Sequence, residues 1–502
     1  MENYPKLIAR LAEISHLNSA AAVLGWDQQC YMPPGGARER AEQFATLGKI
    51  SHEMFVADET RALLEGAEAE AAGLAPESDE RLTLRVVRRG FDQAAKLPTR
   101  LVQELAKAEA IGHEVWVEAR EQSDFKKFAS TLEQLLDLSR QKAECLGFPA
   151  GGTLYDALLD QFEPGMTTAE VERVFGELRP GLVELVQQIA AAPQIDDSVL
   201  KRDYPAENQK AFVDYLVAKL GFDFTRGRQD TAVHPFCTGF TRDDVRITTR
   251  YDKNWLPCAV MGSIHETGHA LYEQGFDPKD DGTPLANAAG LGVHESQSRL
   301  WENIVGRSRA FWAVYLPELK KHFKGTLKDV DVETFYRAIN RVEPSTIRVE
   351  ADEVTYNLHI MLRFELEKEL LSGKLAVKDV PEAWNQKMQE YLGIMPSDDK
   401  HGCLQDVHWS GGMFGYFPTY ALGTLLSAQL YEKALKDEPG IEGELSKGEF
   451  GSLLNWLREN VHKPGARYLP SELVQRVCGE PAQSRSYLSY LRGKFGQLYG
   501  LN

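Results

Sequence analysis

Apolar residues recur along this chain at the spacing of an α-helix, and no other feature of the sequence limits the fold so strongly. Leu7, Leu11, Ile14, Leu17, Ala21 and Leu24 share one face of a first helix that must end before Pro33-Pro34-Gly35-Gly36. The stretches 78–121, 125–145 and 168–191 repeat the pattern among Ala, Glu, Lys and Arg, all strong helix formers. Between 194 and 257 the texture shifts toward Pro, Gly and β-branched residues. There Val245-Arg246-Ile247-Thr248-Thr249-Arg250-Tyr251 alternates with period two and reads as a short strand. Helical signal then resumes through 460, broken by a loop at 396–418 that holds Pro396, Gly402, Gly411, Gly412 and Gly415. With no internal repeat and no linker, the chain is expected to form one mostly α unit over 1–502 with a small β element.

Composition narrows the partners. A formal net charge of −17 argues against nucleic acid and anionic membrane, and 43% apolar residues suffice for a large core. Cys30, Cys145, Cys237, Cys258, Cys403 and Cys478 are dispersed without a Cys-x-x-Cys pair and read as free thiols in a reducing compartment. The N-terminus opens straight into an amphipathic pattern, and no run reaches the roughly 20 apolar residues of a membrane span. A cytoplasmic location is therefore expected. Eight of the twelve histidines lie between 234 and 408, which places the chemistry within about 234–420 and leaves the N-terminal helices to wall a groove.

The chemistry centres on His265-Glu266-Thr267-Gly268-His269. Residues four apart on a helix lie one turn apart on one face, so His265 and His269 can point at a single ion. Glu266 projects beside them, placed to take a proton from an attacking water, as zinc hydrolases require. The alternative is a pair of surface histidines on an ordinary helix. Val260, Met261, Ile264, Leu271 and Tyr272 supply an apolar face, and Gly275 stands where the helix should stop. Gly268 weakens a helix by about 1 kcal/mol relative to Ala, which is easier to tolerate if something must approach its surface closely. The strand upstream suits an extended peptide pairing along its free edge. A catalytic zinc takes a third protein ligand. His294-Glu295-Ser296-Gln297-Ser298, within a helical stretch running to Ile304, is its source. Both His294 and Glu295 can bind metal; helical neighbours face about 100° apart, so one points inward, and spacing does not choose between them.

These residues and four further clusters resemble the carboxypeptidase Taq family of metallocarboxypeptidases. His234-Pro235-Phe236 matches its His-Pro-Phe motif, and Asp244-Val245-Arg246-Ile247-Thr248 its Asp-x-Arg-x-Thr. Ile347-Arg348-Val349-Glu350-Ala351-Asp352 matches Ile-Arg-x-x-Ala-Asp. Gly402-Cys403-Leu404-Gln405-Asp406-Val407-His408-Trp409 matches Gly-x-x-Gln-Asp-x-His-Trp. All six clusters stand in family order without a departure, and Trp26-Asp27 at the end of the first helix also resembles the family. The resemblance implies a saddle-like helical peptidase fold with a deep groove, a homodimer, and one zinc per subunit with cobalt able to substitute. It implies His265, His269 and Glu295 as ligands and Glu266 as general base. The implied activity is release of single C-terminal residues with broad specificity and poor cleavage at proline.

Peptide hydrolysis needs further groups. A developing oxyanion wants a donor besides the metal; Tyr420 is the candidate, with Tyr416 its alternative. A free C-terminal carboxylate is best held by an arginine fork. Arg348 is the candidate by resemblance, though an ion pair with Asp352 at helical spacing would also suit it. Arg246 could serve similarly, or pair with Asp244 or Asp243. His234 and His408 are expected in the pocket, touching substrate or orienting ligands, the alternative for each being a satisfied core histidine; Gln405 is a further substrate-binding candidate, and Asp406 stands beside it. Two rivals stand beside this reading. One is a zinc aminopeptidase or oligopeptidase, disfavoured because no acidic cluster for an α-ammonium is identifiable. The other is a helical scaffold protein with a vestigial metal site.

Overall fold

Several helices of this chain begin where a side chain satisfies the free amides of a first turn. Ser78 accepts from the Arg81 amide at 3.4 Å to open helix Asp79–Lys96, and a Thr167–Glu170 capping box opens Thr168–Ala191. The computed structural model describes residues 1–501. Its first helix runs Asn3–Cys30, and helix Phe125–Leu146 coincides with the predicted 125–145. The single stretch expected at 78–121 is instead two helices, Asp79–Lys96 and Thr99–Gln122. Pro98 between them disfavours the helical conformation at Leu97 and offers no amide. Helix Ala37–Val56 escaped the periodic reading; its apolar stripe, Phe44, Leu47, Met54 and Phe55, is short and only partly buried.

The region 194–257 holds a helix, Ala206–Leu220, as well as three strands: β1 (Gly227–Thr231), β2 (Cys237–Thr241) and β3 (Asp244–Thr249). The order is β1-β3-β2, with β1 parallel and β2 antiparallel to β3; Val245 stands opposite both Gly227 and Gly239. The strand read from the sequence is therefore central. Both its edges are paired within the chain, which rules out the expected pairing of a peptide along β3. Val245 and Ile247 turn into the core, as the alternation demanded.

Apolar side chains gather into two large clusters and one small one. The first large cluster draws on helices Thr99–Gln122, Phe125–Leu146, Thr168–Ala191 and Tyr356–Leu371. The second surrounds the sheet and helix Leu256–Glu273. Helix Pro418–Asp437 feeds both, giving Leu422 and Leu425 to one and Leu426 and Leu430 to the other. The small cluster joins Leu7 and Leu11 to Leu64 and Phe91. The first helix also reaches the sheet, where Ser19 Oγ donates to the Phe240 carbonyl at 3.0 Å. Among the described residues no helix is long and apolar enough to cross a membrane, and all six cysteines are free thiols.

Candidate metal centre

Helix Leu256–Glu273 is buried on nearly every face, as expected of a helix with apolar residues all round. His265 and His269 are among its few partly exposed positions, with Cys258, Gly262 and Glu273, and their ring centroids are 4.9 Å apart. Helix Leu291–Arg299 crosses it and brings Glu295 Oε2 to 3.4 Å from His269 Nε2 and 3.7 Å from His265 Nε2. Ligand atoms on a tetrahedral ion with 2.0–2.1 Å bonds stand roughly 3.3 Å apart. Two imidazole nitrogens and a carboxylate oxygen at these separations fit such an ion with little movement.

The side chains converge because the backbones nearly touch. A Cβ at Gly268 would lie 2.6 Å from the Gln297 carbonyl oxygen and from Ser298 Cα. This is the close approach for which the helix forgoes a better helix former. From the other side, helix Pro418–Asp437 presses Gly423 onto Glu295, where a Cβ would stand 2.5 Å from Glu295 Cβ. The Glu295 stem is thus gripped between two helices.

Each imidazole is held by its far nitrogen. His265 Nδ1 lies 2.8 Å from Glu302 Oε2, and His269 Nδ1 lies 3.1 Å from the His294 carbonyl oxygen. Donating there leaves both Nε2 lone pairs directed at Glu295, the tautomer that metal binding needs. Glu302 sits on a π-helical continuation, Leu300–Val305, a distortion frequent at functional sites. Arg299 ties the two acids together: Nε donates to Glu295 at 2.6 Å and a terminal nitrogen to Glu302 at 3.1 Å. Its guanidinium lies 4.2 Å from the Tyr356 ring centroid. Glu302 and Arg299 were missed in the sequence, yet Glu295, Arg299 and Glu302 form one helical stripe that the spacing could have revealed. His294 does not point at Glu295 but braces the far side of His269, its Nδ1 2.6 Å from His269 Nδ1 and its Nε2 2.8 Å from Glu273 Oε1.

Burial and charge tune the group. Burial pushes the Glu266 carboxyl up to about 7, with Glu295 and Glu302 adding to the effect against His265. Burial is the largest influence on Glu295 and Glu302 and opposes their charge, but Arg299 with the histidines, and Arg307 at Glu302, together outweigh it, holding Glu295 well below the carboxylate range and Glu302 at about 2. His269 is pushed down to about 3 by burial and by His294, so it stays neutral with a free lone pair. At His265 burial opposes protonation, but Glu295 and Glu302 prevail and raise its pKa. A base near neutrality beside an anionic carboxylate and two imidazoles can hold a divalent cation and accept a proton next to it.

The remaining candidates fall into two groups. Arg348, Gln405, Asp406, His408 and Tyr420 meet. Arg348 Nε and a terminal nitrogen donate to Asp406 Oδ1 at 2.9 and 2.8 Å, and its other terminal nitrogen to Tyr356 at 3.0 Å. The pair with Asp352 is not formed. Arg348 lies in a short 3-10 turn, Arg348–Glu350, while the Asp352 carboxylate accepts from the Thr355 hydroxyl and the amides of Glu343 and Val354. Asp406 also binds Arg363, at 2.6 Å from its Nε, so one carboxylate is shared by two guanidiniums. Gln405 accepts from the Arg348 amide at 2.8 Å and donates to the Thr346 carbonyl at 2.9 Å, bracing that turn. His408 Nε2 is 3.2 Å from the Tyr420 hydroxyl, and the Arg348 guanidinium is 5.0 Å from the Tyr420 ring centroid. Burial raises the Tyr420 hydroxyl well above its ordinary pKa, keeping a proton to donate. Tyr416 stacks edge-on to Tyr420 at 5.2 Å.

Arg246 and His234 belong to the sheet. Arg246 pairs with Asp244 through two contacts of 2.9 Å and lies over Trp26 at 4.3 Å and Phe240 at 4.8 Å. Asp243 faces Arg226 and Arg242 instead. His234 is exposed on the loop between β1 and β2, so it is not a core histidine, and the following Pro235 packs over Gly262 of the histidine helix.

The same framework recurs in known proteins. The family model for carboxypeptidase Taq (M32) metallopeptidases matches residues 6–495. Thermostable carboxypeptidase 1 of Thermus thermophilus is 43% identical over 505 residues, covering 99% of each chain. Carboxypeptidase 1 of Bacillus subtilis is 40% identical over 97% of each. The crystal structure of an M32 carboxypeptidase from Deinococcus radiodurans superposes with a TM-score of 0.96 at 42% identity over 100% of both chains. A Pyrococcus furiosus carboxypeptidase superposes at 0.95 with 38% identity and 99% coverage of both.

Proposed function

The chain belongs to the carboxypeptidase Taq (M32) metallopeptidases, and we propose that it releases single C-terminal residues from peptides of broad sequence with Glu266 as general base. That membership makes it a metal-dependent peptide hydrolase and removes the scaffold reading. The carrying observation is the convergence of His265, His269 and Glu295 within 4.8 Å of one another beside a buried Glu266. These three would hold a zinc ion, which when bound supplies a Lewis acid for the scissile carbonyl and acidifies water toward a pKa of about 7. Glu266 takes the proton of the attacking water and passes it to the departing amine, a task its elevated pKa suits. Tyr420, kept protonated, donates to the oxyanion.

Preference for a free C-terminus follows from charge. Two guanidiniums, Arg348 and Arg363, share the single carboxylate of Asp406, leaving an excess positive charge that a substrate carboxylate neutralises. An acidic cluster for an α-ammonium has no counterpart there, which supports carboxypeptidase over aminopeptidase action. The working form in this reading is a homodimer, to be measured by light scattering.

Glu266→Gln tests the central assignment. The amide keeps the shape of the side chain but not its basicity, so metal content should hold while turnover falls by about 10²–10⁴-fold. A metal-replete variant that hydrolyses peptides at the wild-type rate removes Glu266 from this role.

A further inference from the structure

We infer that Glu163 is a positioning residue for the metal centre: from the N-terminal half of the chain its carboxylate caps the helix that carries Glu295 and thereby holds that side chain at His265 and His269. The inference rests on the ligand set proposed above.

Glu163 lies in the loop Gln161-Phe162-Glu163-Pro164-Gly165, yet it is 1% exposed. Its Oε2 accepts from the Gly292 amide at 2.7 Å, and the carbonyl of the preceding Phe162 accepts from the Leu291 amide at 3.0 Å. The first turn of helix Leu291–Arg299 leaves amides without partners inside the helix, and Gly290 at its N-cap has no side chain to serve them. Two consecutive residues from a distant loop do so instead.

The cradle is shaped for this group. A Cβ at Gly292 would lie 2.9 Å from one Glu163 carboxylate oxygen and 3.0 Å from the other, and a Cβ at Gly290 would lie 2.9 Å from Oε2. Gly292 leaves the start of the helix bare so that the carboxylate can seat, and the bare Gly290 makes room both for it and for Pro470, whose Cγ would stand 2.6 Å from a Cβ there. Burial pushes the Glu163 carboxyl up to about 7, and the Gly292 amide is the group that opposes this. A carboxylate whose purpose was a salt bridge would sit beside a cation; this one sits on backbone.

The lever is short. Glu295 is three residues beyond Gly292, about 4.5 Å along the axis, so a displacement at the cap reaches the ligand with little damping. The far end of the same side chain is held by Arg299 and its stem by Gly423, which leaves the cap to set the helix along its length. Phe162 also packs edge-on against Tyr416 at 5.1 Å, so the same dipeptide touches the tyrosine loop.

The experiment is titration of chelator-stripped enzyme with cobalt(II), following the visible absorption, with melting temperatures taken with and without metal. Wild type and Glu295→Ala come first: if Glu295→Ala binds cobalt like wild type, the ligand reading itself fails, whatever Glu163 does. Given that control, Glu163→Ala should bind cobalt about 10–100-fold more weakly with an altered visible band, the size typical of outer-shell partners. Glu163→Gln, which keeps an acceptor oxygen, should stay within about threefold of wild type and restore the band. A purely structural cap would lower melting equally with and without metal and leave affinity and spectrum unchanged; that result overturns the inference. If Glu163→Ala does not fold, Glu163→Asp decides. Its carboxylate is withdrawn by one methylene, so it should weaken and shift the cobalt signal, and wild-type binding by Glu163→Asp refutes the positioning role.

Discussion

Replacing Arg348 with Ala separates carboxylate capture from structural support. Arg348 is buried, with two donors on Asp406, one on Tyr356, and its guanidinium beside the Tyr420 ring. Removing one partner of a buried ion pair usually costs 3–5 kcal/mol, because the other charge is left alone. Asp406 keeps Arg363 at 2.6 Å, so the loss of stability should fall well short of that range. The effect on catalysis should be larger. A charge-assisted bidentate contact to a substrate carboxylate contributes roughly 2–4 kcal/mol, which is about 30–1,000-fold in kcat/KM. N-blocked peptides with a free C-terminus and their C-terminal amides, assayed side by side, read this directly. Wild type should favour the acid strongly; Arg348→Ala should lose most of its rate on the acid, little on the amide, and no metal. Equal losses on both substrates with a lower melting temperature would refute the reasoning and make Arg348 a structural residue. The search for the anchor would then turn to Arg246, whose guanidinium is already committed to Asp244 and stacked on Trp26.

Three further outcomes are expected. Glu302→Ala frees His265 Nδ1 and should weaken zinc binding by about 10–100-fold in a competition titration with a chromogenic chelator, whereas unchanged affinity would exclude the orienting role. Gly268→Ala inserts a methyl 2.6 Å from the Gln297 carbonyl and should destabilise by about 1–3 kcal/mol in urea unfolding, against the gain of about 1 kcal/mol expected at an unobstructed helical site. The Glu163 carboxyl, raised by burial from the usual carboxylate range to about 7, favours the native state while protonated. Its contribution is full below about pH 4.5 and is lost as pH rises through 7, a swing of about 3 kcal/mol. Glu163→Gln does not titrate, so its melting temperature should gain on wild type between pH 5 and pH 8.5; a constant difference would refute the shift.

Several elements were legible because their information is local. The periodic stretches at 125–145 and 168–191 became helices Phe125–Leu146 and Thr168–Ala191, since residues three and four apart must share a face whatever surrounds them. The pairing of His265 with His269 is of the same kind, and so is the alternation of β3. Composition argued for free cysteines, and the cysteines are unpaired. Readings that assumed a partner fared differently. Arg348 and Asp352 have helical spacing, but the segment is a 3-10 turn and the guanidinium turns to Asp406. The β3 pattern marks a strand without telling how many neighbours it has, and it proved to have two.

The sequence by itself determined the helical character of the chain, the two histidines and the carboxylate that share one helix, and the six motifs that point to a metallopeptidase. Those follow from backbone geometry and residue chemistry within a few positions of each other. Spacing left His294 and Glu295 open and only the family resemblance named Glu295; tertiary structure shows how it comes to face the histidines while His294 turns to Glu273, and it alone decided that Glu302 and Arg299 orient the group and that Glu163 caps the helix. A buried charge takes whichever partner the packing brings within about 3 Å. Here the packing is set by backbones meeting at Gly268 and Gly423, contacts between distant parts of the chain that no local period encodes.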